Sequence, residues 1–147
     1  MADILHRVGV EHSSPERVYA ALTTVDGLSG WWTEQTSGVA EVGGVLEFRF
    51  AAGGFDMKVV ELVAGRRVCW EVVDGPPEWV GTVVRWELRQ EGDFTIVVFA
   101  HEGWREPVEF MYHCSTKWAV FLLSLKRFLE TGVGAPDPRD VRISDWH

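Results

Sequence analysis

The chain has 147 residues, of which 46% are hydrophobic, and its formal net charge is −8. This length favours one domain whose core needs no disulfide or metal ion, and the hydrophobic fraction excludes a mainly disordered chain. The excess of negative charge argues against binding to nucleic acid or to anionic membrane surfaces, because both need clustered Lys and Arg.

The two cysteines, Cys69 and Cys114, have a spacing that fits neither a zinc motif nor a disulfide framework. The first residues lack the charged and then apolar layout of a signal peptide. The sequence contains no run of about eighteen apolar residues, so we expect no helix that spans a membrane. We therefore expect a cytoplasmic protein without membrane insertion and with both thiols free. Cys69 is expected on the outer face of a strand, and Cys114 on the inner face of a helix.

The first third of the chain predicts one strand followed by two short helices. Residues 4–12 alternate between apolar and polar, which indicates a strand. Ser14 and Pro15 then provide an N-cap hydroxyl and a proline at the first helical turn, and residues 18–22 supply an apolar helix face. Residues 26–32 predict a turn and a brief helix that ends in two adjacent tryptophans, which we expect to plug one end of the sheet or to serve as a lid.

The middle of the chain predicts an antiparallel meander. Its segments alternate with a period of two and are separated by Gly-rich turns, as expected for a sheet that is covered on one face only. They are residues 46–50, 55–59, 68–73, 82–88 and 94–101. Trp79 falls in a loop between two of these strands, where an aromatic side chain can gate an entrance or pack against a partner.

The last third predicts one long helix and a tail. Apolar residues recur at steps of three and four, which places them on one helix face: Met111, Cys114, Trp118, Phe121, Leu122, Leu125 and Leu129. The helix is expected to end at Thr131-Gly132. The tail is rich in Asp, Arg and Pro, so we expect a single domain over residues 1–136 and an exposed extension over residues 137–147.

Four blocks of this sequence resemble the START-like superfamily, also described as helix-grip, Bet v 1-like or SRPBCC proteins. Within it they are similar to the branch named after the C-terminal domain of the Hsp90 ATPase activator. The blocks are residues 14–22 with Gly30-Trp31-Trp32, His101-Glu102-Gly103-Trp104, Trp118 with residues 122–126, and Leu129-Glu130-Thr131-Gly132. The resemblance covers about residues 4 to 136.

The resemblance implies an α+β helix-grip fold. In that fold a curved antiparallel sheet of six or seven strands wraps around the long C-terminal helix, with two short helices after the first strand. Periodicity alone leads to the same picture with one strand fewer, and we expect the missing strand around residues 39–45. A pocket between sheet and helix is implied as well.

The predicted inward faces carry many flat aromatic rings, which fill a concave sheet less readily than aliphatic side chains do. A ligand cavity and a solid core are both compatible with this pattern, and we favour the cavity. The candidate ligand-binding residues are Phe48, Phe50, Met57, Trp70, Trp86, Phe99, His101, Met111, Cys114, Trp118 and Leu122.

His101 is expected to project inward near the pocket mouth, where it can act as an acid or base or hold a polar ligand group. The alternative is a histidine that is hydrogen-bonded at a strand end. His6, His113 and Cys114 have no spacing that predicts a metal site with it. The sequence also contains no nucleophile elbow, phosphate-binding loop or dinucleotide fingerprint, so we expect no catalytic residue, metal or cofactor.

Three functions follow from these observations. The first is the binding of an apolar or amphipathic small molecule without chemistry. The second is an enzyme of the polyketide cyclase or dehydratase type, as some relatives are, which would use His101 with Tyr112 or Glu109. The third is an interaction module that resembles the Hsp90-activating domain. A homodimer and an Hsp90-type chaperone are kept as candidate partners.

Overall fold

Seven strands and three helices form the fold in the computed structural model, which describes residues 1–51 and 53–147. In chain order the elements are β1 (Ala2–Glu11), α1 (Pro15–Thr23), α2 (Val25–Trp31), β2 (Gln35–Gly38), β3 (Val45–Phe50), β4 (Gly53–Val63), β5 (Arg67–Asp74), β6 (Val83–Glu91), β7 (Phe94–Trp104) and α3 (Glu109–Thr131).

The strands form one antiparallel sheet in the order β1-β7-β6-β5-β4-β3-β2. Strand β1 therefore pairs with the last strand, β7, and the meander runs from there to the edge strand β2. Helix α3 crosses the sheet and contacts β1, α1 and α2. The α+β helix-grip prediction is confirmed, including the two short helices after the first strand.

The position of the seventh strand differs from the prediction. The additional strand is β2, residues Gln35–Gly38, whereas residues 39–44 form the connection to β3. Strand β2 has four residues, and only Thr36 among them is buried. A strand this short and polar carries no alternating apolar signal, so pattern reasoning misses it.

The start of α1 and the end of α3 lie where the sequence predicts them, and α2 has a cap that was not predicted. The Ser14 side chain accepts a hydrogen bond from the Arg17 backbone N–H and caps α1, and Thr24 caps α2 in the same way. Helix α3 ends at Gly132, whose φ of 89° is the left-handed conformation that glycine adopts without strain.

Within residues 1–51 and 53–147, no helix has both the length and the apolar character needed to cross a membrane.

The core between sheet and helices contains a large cluster of aromatic rings beside its aliphatic side chains. Trp31 and Trp32 stack with ring centroids 5.5 Å apart, and Trp32 contacts Trp70 at 6.0 Å and Trp118 at 5.0 Å. Both adjacent indoles are almost completely buried, so neither forms an exposed lid. Six of the predicted inward sheet residues are buried and Phe50 is half-buried, so the alternation gives the correct face of these strands. The six are Phe48, Met57, Trp70, Trp86, Phe99 and His101.

The tail corrects one prediction. Asp137 and Asp140 are buried rather than exposed, and the Asp137 backbone N–H donates to the Trp32 carbonyl at 2.8 Å. The exposed tail residues are Pro138, Arg139, Val141, Arg142, Asp145 and Trp146. The residues that hold the tail lie elsewhere in the chain, so composition alone suggests an exposed extension. The boundary between 1–136 and 137–147 stays a prediction.

The thiols yield the first testable prediction. Cys69 and Cys114 are both free and buried, and burial raises the pKa of each thiol, that of Cys114 to about 12. Cys69 pairs with Arg85 across β5 and β6, on the face opposite Val68 and Trp70. Because the thiolate is the reactive form, we expect no disulfide under non-reducing conditions and alkylation only after denaturation.

Mass spectrometry after iodoacetamide treatment of native and urea-denatured protein checks this. An intramolecular disulfide in the native protein, or rapid alkylation of Cys114, would contradict the assigned positions.

Candidate functional site

A cavity of about 490 Å³ lies between the first half of α3, the β3–β4 hairpin, the β5–β6 loop and the tail. This volume falls in the range of small-molecule sites. The lining residues are Trp32, Phe50, Gly53, Gly54, Phe55, Pro76, Trp79, Phe110, His113, Cys114, Lys117, Trp118, Phe121, Asp137, Asp140, Trp146 and His147.

One face of α3 supplies the wall of the cavity on the helix side. Six α3 residues line it, and their spacing of three or four places them above one another on the helix: Phe110, His113, Cys114, Lys117, Trp118 and Phe121. Opposite them, Trp79 from the β5–β6 loop packs on Phe55 at 4.5 Å and stacks parallel to Trp118 at 6.1 Å. Trp79 is only 6% exposed, so it forms part of the wall.

The tail forms a polar end of the same cavity. Lys117 Nζ lies 2.5 Å from Asp140 Oδ2 and donates hydrogen bonds to the carbonyl oxygens of Val141, at 2.6 Å, and His147, at 3.2 Å. The Asp140 side chain is completely buried. This ion pair lies outside hydrogen-bond geometry, so both Asp140 oxygens lack a hydrogen bond within the described residues. A single α3 ammonium thus holds the tail against the helix.

The ionisation of the polar end reflects its burial. Burial raises the pKa of Asp137, and the nearby Asp140 carboxylate raises it further. Burial also lowers the pKa of His113, as does the positive charge of Lys117. His113 Nδ1 lies 2.8 Å from Ser144 Oγ, and its ring contacts the Trp146 ring at 5.6 Å, which ties the tail to α3 at a second place.

His101 lies behind the cavity wall instead of at a mouth, which corrects its predicted position. The Trp118 Nε1–H donates to His101 Nδ1 at 3.1 Å, so the proton of the neutral ring is on Nε2, which donates to Thr82 Oγ1 at 2.7 Å. Thr82 in turn donates to the Trp79 carbonyl. Burial lowers the pKa of His101 to about 3. His101 thus positions two wall residues, Trp118 and Trp79.

Three of the eleven candidate ligand-binding residues line the cavity: Phe50, Cys114 and Trp118. The other eight lie outside its wall, in the core or packed against it: Phe48, Met57, Trp70, Trp86, Phe99, His101, Met111 and Leu122. The difference arises because buried aromatic and aliphatic side chains together fill the centre of the concave face, so the space is left at one end of the sheet.

Several wall residues were missed by sequence reasoning. Phe110 continues the three-four spacing of the helix, and Lys117 interrupts its apolar face, so both carried a signal. Nothing in the sequence pattern points to Asp137, Asp140 or His147. Their place in the wall depends on the fold of the tail.

The three histidines that were considered as metal ligands each form hydrogen bonds with different partners. His6 Nε2 bonds to the Ser115 carbonyl, and the bonds of His101 and His113 are described above. A different group, Asp137, Asp140 and His147, brings its ligand atoms within 4.8 Å of one another. The Lys117 ammonium already occupies the Asp140 side of that group. The Cys114 thiol lines the cavity, but with a pKa near 12 it is a poor nucleophile.

Comparison with known proteins gives a consistent picture. The family model for the Activator of Hsp90 ATPase homolog 1-like protein matches residues 12–130. The Aha1 dimer from Colwellia psychrerythraea, solved in solution, is 48% identical, with 91% of this chain and 100% of that chain covered and a TM-score of 0.84. Among curated protein sequences, none matches the chain.

More distant structures share the fold. The protein SSP2350 from Staphylococcus saprophyticus, known from a crystal structure, is 17% identical in sequence, with 99% of this chain and 100% of that chain covered and a TM-score of 0.76. CalU16 from Micromonospora echinospora, solved in solution, is 20% identical in sequence, with 97% of this chain and 74% of that chain covered and a TM-score of 0.79. Since the family model spans most of the sequence, the chain belongs to the Activator of Hsp90 ATPase homolog 1-like family.

Proposed function

We propose that this START-like domain binds an apolar or amphipathic small molecule in the cavity and performs no chemistry on it. The observation that carries the proposal is the cavity itself, about 490 Å³ with aromatic walls from both the sheet side and α3. Ligand sites are typically apolar with a few polar groups, and this cavity has that composition.

The arrangement of titratable groups favours binding over catalysis. A general acid or base needs contact with the substrate and a pKa near the working pH. His101 is screened from the cavity by Trp79 and Trp118, and its pKa of about 3 keeps it neutral. Tyr112 and Glu109, the other residues considered for a cyclase, are exposed and do not line the cavity.

A second candidate function rests on the family match and on the Aha1 dimer from Colwellia psychrerythraea. The family match favours an interaction with an Hsp90-type chaperone, and the Aha1 dimer favours a homodimer. The test is the ATPase rate of an Hsp90 protein with and without this chain, together with the molar mass in solution. A rate increase that survives blocking of the cavity would favour this candidate over ligand binding.

A cavity-filling substitution tests the binding proposal. Cys114→Leu adds apolar volume inside the cavity and should weaken binding of the neutral probe naphthylethanol by about tenfold, because the ring loses its space. Isothermal titration calorimetry gives the affinity, and thermal unfolding shows whether the fold is kept.

The matched control is Thr116→Leu, two residues along the same helix on its exposed side. It should bind the probe like the unmodified protein. Equal affinity in the Cys114 variant, or binding that does not saturate, would argue that the probe binds elsewhere.

The buried imidazole predicts a pH dependence of stability. The unfolded chain protonates His101 below a pH of about 6.5, whereas the folded protein does so only below about 3. Above a pH of about 6.5 the ring is neutral in the unfolded chain too, so burying it requires no deprotonation and the free energy of unfolding keeps its full value. It falls by about 1.4 kcal/mol per pH unit as the pH drops from about 6.5 towards 3.

His101→Gln removes this titration. The stability advantage of the native protein over the variant should therefore be about 2–3 kcal/mol smaller at pH ~4.5 than at pH ~7.5, as measured by urea unfolding. His12→Asn is the control at an exposed histidine whose left-handed φ asparagine tolerates. A pH-independent difference would refute the buried neutral ring. A bound compound whose turnover fell about 10²–10⁴-fold in His101→Gln would instead support the enzyme.

A further inference from the structure

We propose that the polar end of the cavity selects a positively charged amine, so that the ligand is an amphipathic cation with a flat apolar body. The inference rests on the proposed function and names its ligand class. Its basis is the charge and hydrogen-bond state of the side chains that the tail brings to the cavity.

This end of the cavity has more carboxylate side chains than ammonium side chains. Asp137 and Asp140 both line the cavity and are both buried, and the Lys117 ammonium pairs with Asp140. The Lys117 ammonium pairs with Asp140 Oδ2, whereas Asp140 Oδ1 and the buried Nε2 of His147, which lies 3.3 Å from Oδ2, have no hydrogen-bond partner within the described residues. Buried carboxylate oxygens without a hydrogen bond are costly, and an incoming ammonium N–H would satisfy them.

The ammonium at this end is already used, which disfavours an anionic ligand. Lys117 directs its ammonium to the Val141 and His147 carbonyls and to Asp140. No arginine is among the described cavity-lining residues. His113, whose pKa burial lowers, supplies no lasting positive charge. A carboxylate or phosphate group would therefore meet two carboxylates and no free ammonium or guanidinium among the described lining residues.

The surrounding rings suit a cation as well. Lys117 Nζ lies 5.5 Å from the centroid of the Phe121 ring, so a positive charge already sits over an aromatic face at this end. Phe110 and Trp146 border the same region, with ring centroids 6.0 Å apart. Aromatic faces attract cations, and they also pack against the apolar body of a ligand.

A divalent metal ion explains these features less well. A metal ion requires three ligand atoms at about 2.0–2.6 Å from one centre. A metal ion at this end would need Asp137, Asp140 and His147 together, and the Lys117 ammonium, 2.5 Å from Asp140 Oδ2, already takes up one of these three groups. A metal ion would also leave the aromatic part of the cavity without an occupant. An ammonium attached to an apolar body fills both parts.

The test compares three probes of one shape and different charge: naphthylethylamine, naphthylethanol and naphthylacetate. Calorimetric titration at neutral pH should give an affinity for the amine about tenfold above that for the alcohol, with the acid weakest. Asp137→Asn should reduce the preference for the amine to about threefold or less and leave the affinity for the alcohol unchanged. Asp145→Asn, an exposed carboxylate of the same tail, should change neither.

The outcomes separate the two proposals. If the alcohol binds as tightly as the amine, or the acid binds best, the amine inference is wrong while the binding function stands. If none of the three probes binds, both fall. Competition of the amine by Zn²⁺ at the Asp137 site would assign this end to a metal ion and overturn the amine.

Discussion

The hydrogen bond from the Trp118 indole to His101 Nδ1 is the contact on which the rest of the site depends. It joins α3 to β7 in the interior, and His101 passes the connection on through Thr82 to the Trp79 carbonyl. Trp118 and Trp79 are thereby held parallel on one wall of the cavity. The buried His101 ring stays neutral, and it accepts one hydrogen bond and donates another. Because both ring nitrogens are used in this way, the ring connects α3 to β7 and does not act as an acid or base.

The aromatic interior then divides into two parts with different roles. Trp31 and Trp70 each pack edge-on against Trp86 in the centre of the sheet. The remaining space lies towards the start of α3, where the tail closes it. The tail stays in place through the Lys117–Asp140 ion pair and the backbone pairing of Asp137 with residues 32 and 34. The polar end is therefore part of the proposed binding site.

Sequence reasoning captured the fold because its signals are local: alternation in the strands, three-four spacing in α3, and caps at Ser14 and Gly132. Strand β2 was misplaced because its pairing with β3, rather than its own side chains, defines it. The candidate site was captured only in part. The alternation of side chains along each strand predicts which of them point inward. Whether an inward ring such as that of Trp86 fills the core or lines a cavity depends on residues from elements far away in the sequence, which the alternation does not show.

The central claim is that the aromatic centre is solid and that ligands enter only at the tail-closed end. Isotope-filtered nuclear Overhauser spectra of the protein with naphthylethylamine test it most directly, since they report which side chains touch the probe. The account predicts contacts to Phe110, Phe121 and Trp79, and none to Trp86 or Phe99, which lie outside the cavity wall. Contacts from the probe to Trp86 or Phe99 would show that the core opens, and would contradict it.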